Sequence, residues 1–231
     1  MTHPLLHAIP AALQAKADPA RALDVQRYMK SAMPYYGVNM PVQRRIWSEV
    51  FDAHQFNSRD ELHAVALQLW RGAMFREERY AAIALTGQRR YRSWQDTTAV
   101  PTYEEMIVTG AWWDYVDSIA THQLGDVLRG DSRRMKPLMR RWAKASDSIW
   151  KRRAAILCQI GFKSDTDLQL LHACIEPNLS HKDFFIRKAI GWALRQYAWT
   201  DPREVKRYVN ANRARLSPLS VREALKNVAR R

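Results

Sequence analysis

The stretch FFIRKAIGWALRQYA, residues 184–198, decides the fold class. Its apolar residues Ile186, Ala189, Ile190, Ala193 and Leu194 recur at intervals of three and four, which places them on one face of a helix. ELHAVALQLWRGAM, residues 61–74, carries the same rhythm. Alternation with period two, the mark of a half-buried strand, is scarce. Helix-start signals stand between such stretches. Ser58-Arg59-Asp60-Glu61, Thr102-Tyr103-Glu104-Glu105 and Ser220-Val221-Arg222-Glu223 have the form of a capping box. Asp201-Pro202 reads as an N-cap followed by proline at the first helical position, and Pro41 can take that role after GVNM. The chain is therefore read as all-α, with about a dozen helices joined by short loops. No low-complexity linker divides it, so residues 1–231 are expected to form a single domain.

The opening stretch is also part of a repeat. RYAAIAL (79–85), RRAAILC (152–158), RKAIGWA (187–193) and REALKNV (222–228) align on a pair of small apolar residues. The alignment brings Tyr80, Arg153, Arg187 and Arg222 to within one residue of a common position, and Asp117 in YVDSIAT falls between the first two. The separations are 37, 36, 34 and 35 residues. That period suits helical-hairpin units of the HEAT sort, stacked into a curved superhelical solenoid. One helix of each hairpin would then face a shared concave surface, with Asp117, Arg153 and Arg187 as neighbours. Amphipathicity alone can also produce self-similarity this sparse.

Composition restricts the partners. Of 231 residues, 47% are apolar and 10% aromatic, which is ample for a packed core. Lysine and arginine number 37 against 23 acids, a net charge of +14. Such an excess favours a polyanion, nucleic acid first and an anionic membrane surface second. No apolar run is long enough to span a bilayer. The N-terminus lacks the basic and apolar segments of a signal peptide. The two cysteines, Cys158 and Cys174, lie in apolar helical pattern and read as buried thiols, which fits a reducing cytoplasm. Charge is concentrated between Arg129 and Arg153, where ten basic residues face two acids, Asp131 and Asp147. This is either a solvated face or a track for phosphates, and the overall excess favours the track.

Several chemistries are excluded by what is missing. There is no G-x-G-x-x-G or phosphate loop, no G-x-S-x-G, and no H-E-x-x-H or Cys/His ligand spacing among the seven histidines. His172 and Cys174 are two apart and read as ordinary packing. No metal and no cofactor are expected. What remains is VTGAWWDYVDSIA, residues 108–120, with Trp113 and Asp117 one helical turn apart. Trp113 and Trp192 both lie within about a turn of the repeat position. Trp47, Trp70 and Trp142 read as core. Trp112 is expected to pack inward and Trp113 to face the groove, since adjacent helical residues diverge by about 100°. Asp117 can serve as a functional carboxylate or as the structural partner of Arg153, and spacing alone leaves both open.

RYMKSAMPYYGVNMPVQRR (27–45), EEMIVTGAWWDYVDSI (104–119), SIWKRRAAIL (148–157) and KDFFIRKAIGWALRQYA (182–198) resemble the AlkD-like DNA alkylation repair enzymes, alkylpurine DNA glycosylases built from HEAT-like repeats. The similarity runs from about residue 5 to the C-terminus, with departures at Gly110 and Trp199. It implies that Asp117 is the catalytic carboxylate and that Trp113 and Trp192 line the cleft against the lesion's sugar. Tyr28 would stand beside the lesion. Arg153 would lie near the DNA backbone, and Arg152, Arg187 and Lys188 are expected to bind that backbone with it. The implied reaction is hydrolysis of the N-glycosidic bond of cationic N3- and N7-alkylpurines in double-stranded DNA, without flipping of the base and with tolerance of bulky adducts. Asp117 is expected to be ionised at neutral pH. A non-catalytic duplex-binding module and a protein-interaction scaffold are the competing readings; charge disfavours the scaffold. A monomer is the default.

Overall fold

The computed structural model describes residues 3–228. Among these residues there are fourteen α-helices and no strand, so the all-α expectation holds. The chain divides into two compact units, Met1–Trp94 and Gln95–Arg231.

The first unit contains α1 (Leu5–Gln14), α2 (Pro19–Met29), α3 (Met40–Ala53), α4 (Arg59–Gly72) and α5 (Arg76–Thr86). α4 and α5 pair closely, and α3 packs on α1 and α5. The helix starts are set by side chains. Asp18 accepts from Arg21 N, Asn39 from Val42 N with Pro41 in the first turn, and Ser58 from Glu61 N. These satisfy amide groups that would otherwise lack partners. The link between α2 and α3 is fixed by Glu77 of α5. Its carboxylate accepts from the backbone N–H groups of Tyr36, Gly37 and Val38 at 2.9–3.2 Å. Trp47 and Trp70 are buried here, as expected.

The second unit contains α6 (Val100–Gly110), α7 (Trp113–Ile119), α8 (Gly125–Gly130), α9 (Ser132–Trp142), α10 (Ile149–Leu157), α11 (Leu168–Ile175), α12 (Phe184–Tyr197), α13 (Pro202–Ala211) and α14 (Pro218–Leu225). Its organisation is a stack of helical hairpins. α7, α10, α12 and α14 pack in that order, each on the next, while α9, α11 and α13 pack beside them. The stacked row carries Asp117, Arg153, Arg187 and Arg222, so the 36-, 34- and 35-residue separations correspond to one hairpin each. In α12 the predicted face is the buried one: Ile186, Ala189, Ile190, Ala193 and Leu194 are all at most 4% exposed. Each large aliphatic side chain so buried contributes about 1.5–3 kcal/mol. Gly191 on this helix lets α14 approach. A Cβ there would stand 2.5 Å from Glu223 Cβ and 3.0 Å from Ser220 O.

Two of the three capping boxes are misplaced by the sequence reading. Thr102 lies inside α6 and Ser220 inside α14. Proline in the first turn, Pro101 and Pro218, starts each helix earlier, because its fixed φ is already helical and its missing N–H is not needed there. Ser217 is the actual cap of α14, accepting from Ser220 N at 3.0 Å. Asp201 caps α13 as expected, accepting from Arg203 N and Glu204 N. Trp142 is core, and Cys158 and Cys174 are free thiols at 1% and 0% exposure. Among the described residues no helix is long and apolar enough to cross a membrane.

Candidate functional site

α7 is a short helix anchored by Tyr115, Val116 and Ile119, all fully buried. Burial of that face turns Asp117 toward α10. There Arg153 Nε and Nη2 donate to the two carboxylate oxygens at 2.7 and 2.8 Å. The third arm of the guanidinium, Nη1, donates to Phe185 O at 2.5 Å. Phe185 is held in turn at the start of α12 by Asp183, which accepts from Phe185 N at 2.7 Å and Ile186 N at 3.1 Å. One arginine thus ties three successive members of the stack together. The pairing of Asp117 with Arg153 across one repeat is the neighbour relation that the spacing predicts. Burial pushes the Asp117 carboxyl above its ordinary range, while the hydrogen bonds and charge of Arg153 pull it down; burial prevails in sign. Both oxygens accept from a single guanidinium, which is the contact of an ionised carboxylate.

The pair is oriented. Arg153 is 4% exposed, whereas Asp117 is 14% exposed and lines an open groove of about 600 Å³. The other lining residues are Ser118, Thr121, His122, Asp126, Arg129, Ile160, Gly161 and Trp192. The groove therefore sees the negative end of the ion pair. It also sees an indole, because Trp192 of α12 stands on the same wall system as Asp117. Asp126 and Arg129 form a second pair at 3.3 Å, and Arg129 lies over the Phe162 ring at 3.8 Å.

After Asp117 the backbone changes pitch. Ala120–Leu124 forms one turn of π-helix between α7 and α8. Such bulges shift side chains round the helix axis and cluster at functional sites. Here the turn presents Thr121 and His122 beside Asp117. Thr121 Oγ1 donates to Asp117 O at 2.8 Å, and His122 Nδ1 lies 2.9 Å from Ser118 O. Neither residue is singled out by any spacing in the sequence, because the reading assumes an unbroken α-helical pitch.

Trp113 does not line this groove among the described residues. It is the first residue of α7, one helical turn before Asp117. Trp112 packs as expected against protein, edge-on to Phe185 at 5.6 Å and tilted against Trp150 at 6.3 Å. Phe184, 53% exposed, extends this cluster. Trp150 and Phe185 are further aromatics that the sequence reading passes over; three separate elements supply the cluster, so no single spacing encodes it. Tyr28 lies on α2 in the first unit and is 79% exposed.

The basic residues divide into committed and available groups. Arg152 donates to Ala145 O, Asn178 Oδ1 and Lys144 O at 2.6, 3.0 and 3.3 Å, closing the end of the α9 segment. Lys188 pairs with Glu223 at 2.9 Å. Burial alone would push the Glu223 carboxyl up, but hydrogen bonds from Lys226 and Lys188 hold it at about 2. Arg187 Nε makes a long bond of 3.4 Å to Asp183 O. Within the basic track, Lys136 pairs with Asp167 and Lys151 with Glu104, each at 2.7 Å. Arg133, Arg134, Arg140, Arg141 and Lys144 are exposed along α9 and just beyond it.

No match was found among curated proteins. A solved structure described as a predicted DNA alkylation repair enzyme from Enterococcus faecalis superposes with a TM-score of 0.81 at 26% identity, over 94% of this chain and 98% of that one. Residues 9–228 match the family described as DNA alkylation repair enzyme. A match over nearly the whole length, on a chain of stacked helical hairpins with a carboxylate–indole groove, means that this protein belongs to the DNA alkylation repair enzyme family.

Proposed function

We propose that the protein is an alkylpurine DNA glycosylase of the AlkD-like kind, a monofunctional hydrolase that cleaves the N-glycosidic bond of cationic N3- and N7-alkylated purines in duplex DNA. The observation that carries this reading is the orientation of the Asp117–Arg153 pair, carboxylate toward the groove and guanidinium behind. An alkylpurine that already bears a positive charge leaves as a neutral base and needs no general acid. One carboxylate then suffices where ordinary glycosidases require two. As the bond to C1′ weakens, positive charge develops on the deoxyribose. A fixed negative group beside it stabilises that charge without reorganising. The face of Trp192 adds attraction of about 0.5–2 kcal/mol for a cation. No lysine lines the groove among the described residues, which favours a water nucleophile over a Schiff base. The groove is open rather than enclosed, which suits attack on the sugar with the base left in place. Arg187, Lys188 and the exposed arginines of α9 are the candidates for backbone phosphates. Arg152 and Arg153 each make three hydrogen bonds inside the protein.

A second reading is a duplex-binding module without chemistry. It is favoured by one observation, that Arg153 occupies both oxygens of Asp117. Release of free 7-methylguanine from methylated duplex DNA separates the two. The glycosylase reading expects release by the wild type and a loss of about 100-fold or more in Asp117→Asn, on the scale of removing one electrostatic stabiliser. Binding without release by the wild type would leave the module reading standing. Equal activity of Asp117→Asn would remove Asp117 from the chemistry.

A further inference from the structure

Hydrolysis of a cationic nucleoside liberates one proton. Water adds to C1′ through its oxygen, the electrons of the C1′–N bond return to the purine and cancel its charge, and an O–H bond of the water must break. A base in the groove that receives that proton would speed the step. Both carboxylates in the lining are already engaged, Asp117 by two arms of Arg153 and Asp126 by Arg129. His122 is differently placed. Its Nδ1 lies 2.9 Å from Ser118 O, a carbonyl that can only accept, so Nδ1 carries the hydrogen. Thr121 Oγ1, 3.1 Å from the same nitrogen, donates its own hydrogen to Asp117 O and offers a lone pair toward the ring. In the neutral imidazole this fixes the tautomer and leaves the lone pair on Nε2, which has no partner among the described residues. The π-turn at Ala120–Leu124 brings this nitrogen's ring into the lining of the groove that Asp117 and Trp192 share.

We infer that His122 receives the proton of the hydrolytic water at Nε2, with Ser118 O and Thr121 holding the ring in the tautomer that can do so. The inference rests on the glycosylase reading above and adds a residue to it. Asp117 stabilises the sugar cation, and His122 takes the proton as the C–O bond forms and passes it to solvent as the product leaves. The π-turn packs against α6, α7, α8 and α10. The charged groups these elements set around the imidazole are Asp117 from α7, Asp126 and Arg129 from α8, and Arg153 from α10 behind Asp117; α6 contributes none to the lining.

The test is single-turnover release of 7-methylguanine from a methylated duplex by the full chain, with wild type, His122→Gln and His122→Ala. DNA affinity is measured alongside. His122→Gln should lose about 100-fold, the lower end of general-base contributions, while binding the duplex as the wild type does. Added imidazole should restore part of the rate of His122→Ala. An unchanged rate in His122→Gln overturns the inference, as does a loss of rate that tracks loss of DNA affinity, which would make His122 a phosphate contact. In both cases an active wild type leaves the glycosylase reading intact. A wild type that releases no base removes that reading and the role of His122 with it.

Discussion

At the scale of the residue, the site depends on an ion pair that is nearly sealed. Arg153 is 4% exposed, and removing it would leave the mostly buried Asp117 without its counter-charge. Breaking one side of a buried pair costs about 3–5 kcal/mol. The sign of the pH dependence follows from the direction of the Asp117 shift. A carboxyl raised in the folded state holds a proton there that it would lose on unfolding, so stability falls as pH rises from the ordinary carboxylate value through the raised one. Without Arg153 the rise is larger and the window wider. Arg153→Ala should therefore show its greatest deficit near neutral pH, shrinking toward about pH 4 and below, where Asp is protonated in either state. Urea unfolding at pH 4, 5.5 and 7 measures this, and a deficit independent of pH would mean that packing, not charge, is what Arg153 supplies. Asp117 and Arg153 were legible in the sequence because the 36-residue repeat places them on adjacent helices. Trp192 was legible for the same reason. His122 was not. Its placement depends on where a side chain leaves a helix whose pitch changes after seven residues, and pitch is not written in hydrophobic periodicity.

At the scale of the element, the helices were read correctly in kind and less well at their ends. The apolar rhythm of residues 184–198 found α12 and its buried face. The errors at Thr102 and Ser220 share one cause: a proline in the first turn outranks a downstream hydroxyl in fixing where a helix begins. The seam between α12 and α14 gives a direct test of the packing. Gly191 admits Glu223 at a distance no Cβ tolerates and Ser220 at one few tolerate, and Glu223 is itself held by Lys188, Arg195 and Lys226 at 2.6–2.9 Å. Gly191→Ala must push α14 outward. A loss of about 1–3 kcal/mol is expected from such overpacking, outweighing the helix preference of alanine. A stability equal to or above wild type in chemical denaturation would show that the seam can relax.

At the scale of the whole molecule, the net charge of +14 predicts binding that is steeply salt-dependent. Each phosphate neutralised on duplex DNA adds about −0.9 to the slope of log affinity against log salt. Arg140 and Arg141 are exposed on α9, and replacing both with alanine should reduce the magnitude of that slope by about 2 if they lie on the DNA. An unchanged slope would place the duplex elsewhere. The two cysteines bear on how long such a protein lasts at its post. Methylating and other electrophilic agents that damage DNA react with sulfur far more readily when it is ionised. Cys158 and Cys174 are shut inside the helix stack, and burial lifts the Cys174 thiol to about 12 and raises Cys158 as well. Native protein should therefore take up no iodoacetamide at pH 7.5, and two equivalents after unfolding in urea. The molecule can work in the presence of the same poisons whose lesions it meets, with neither thiol on its surface for them to consume.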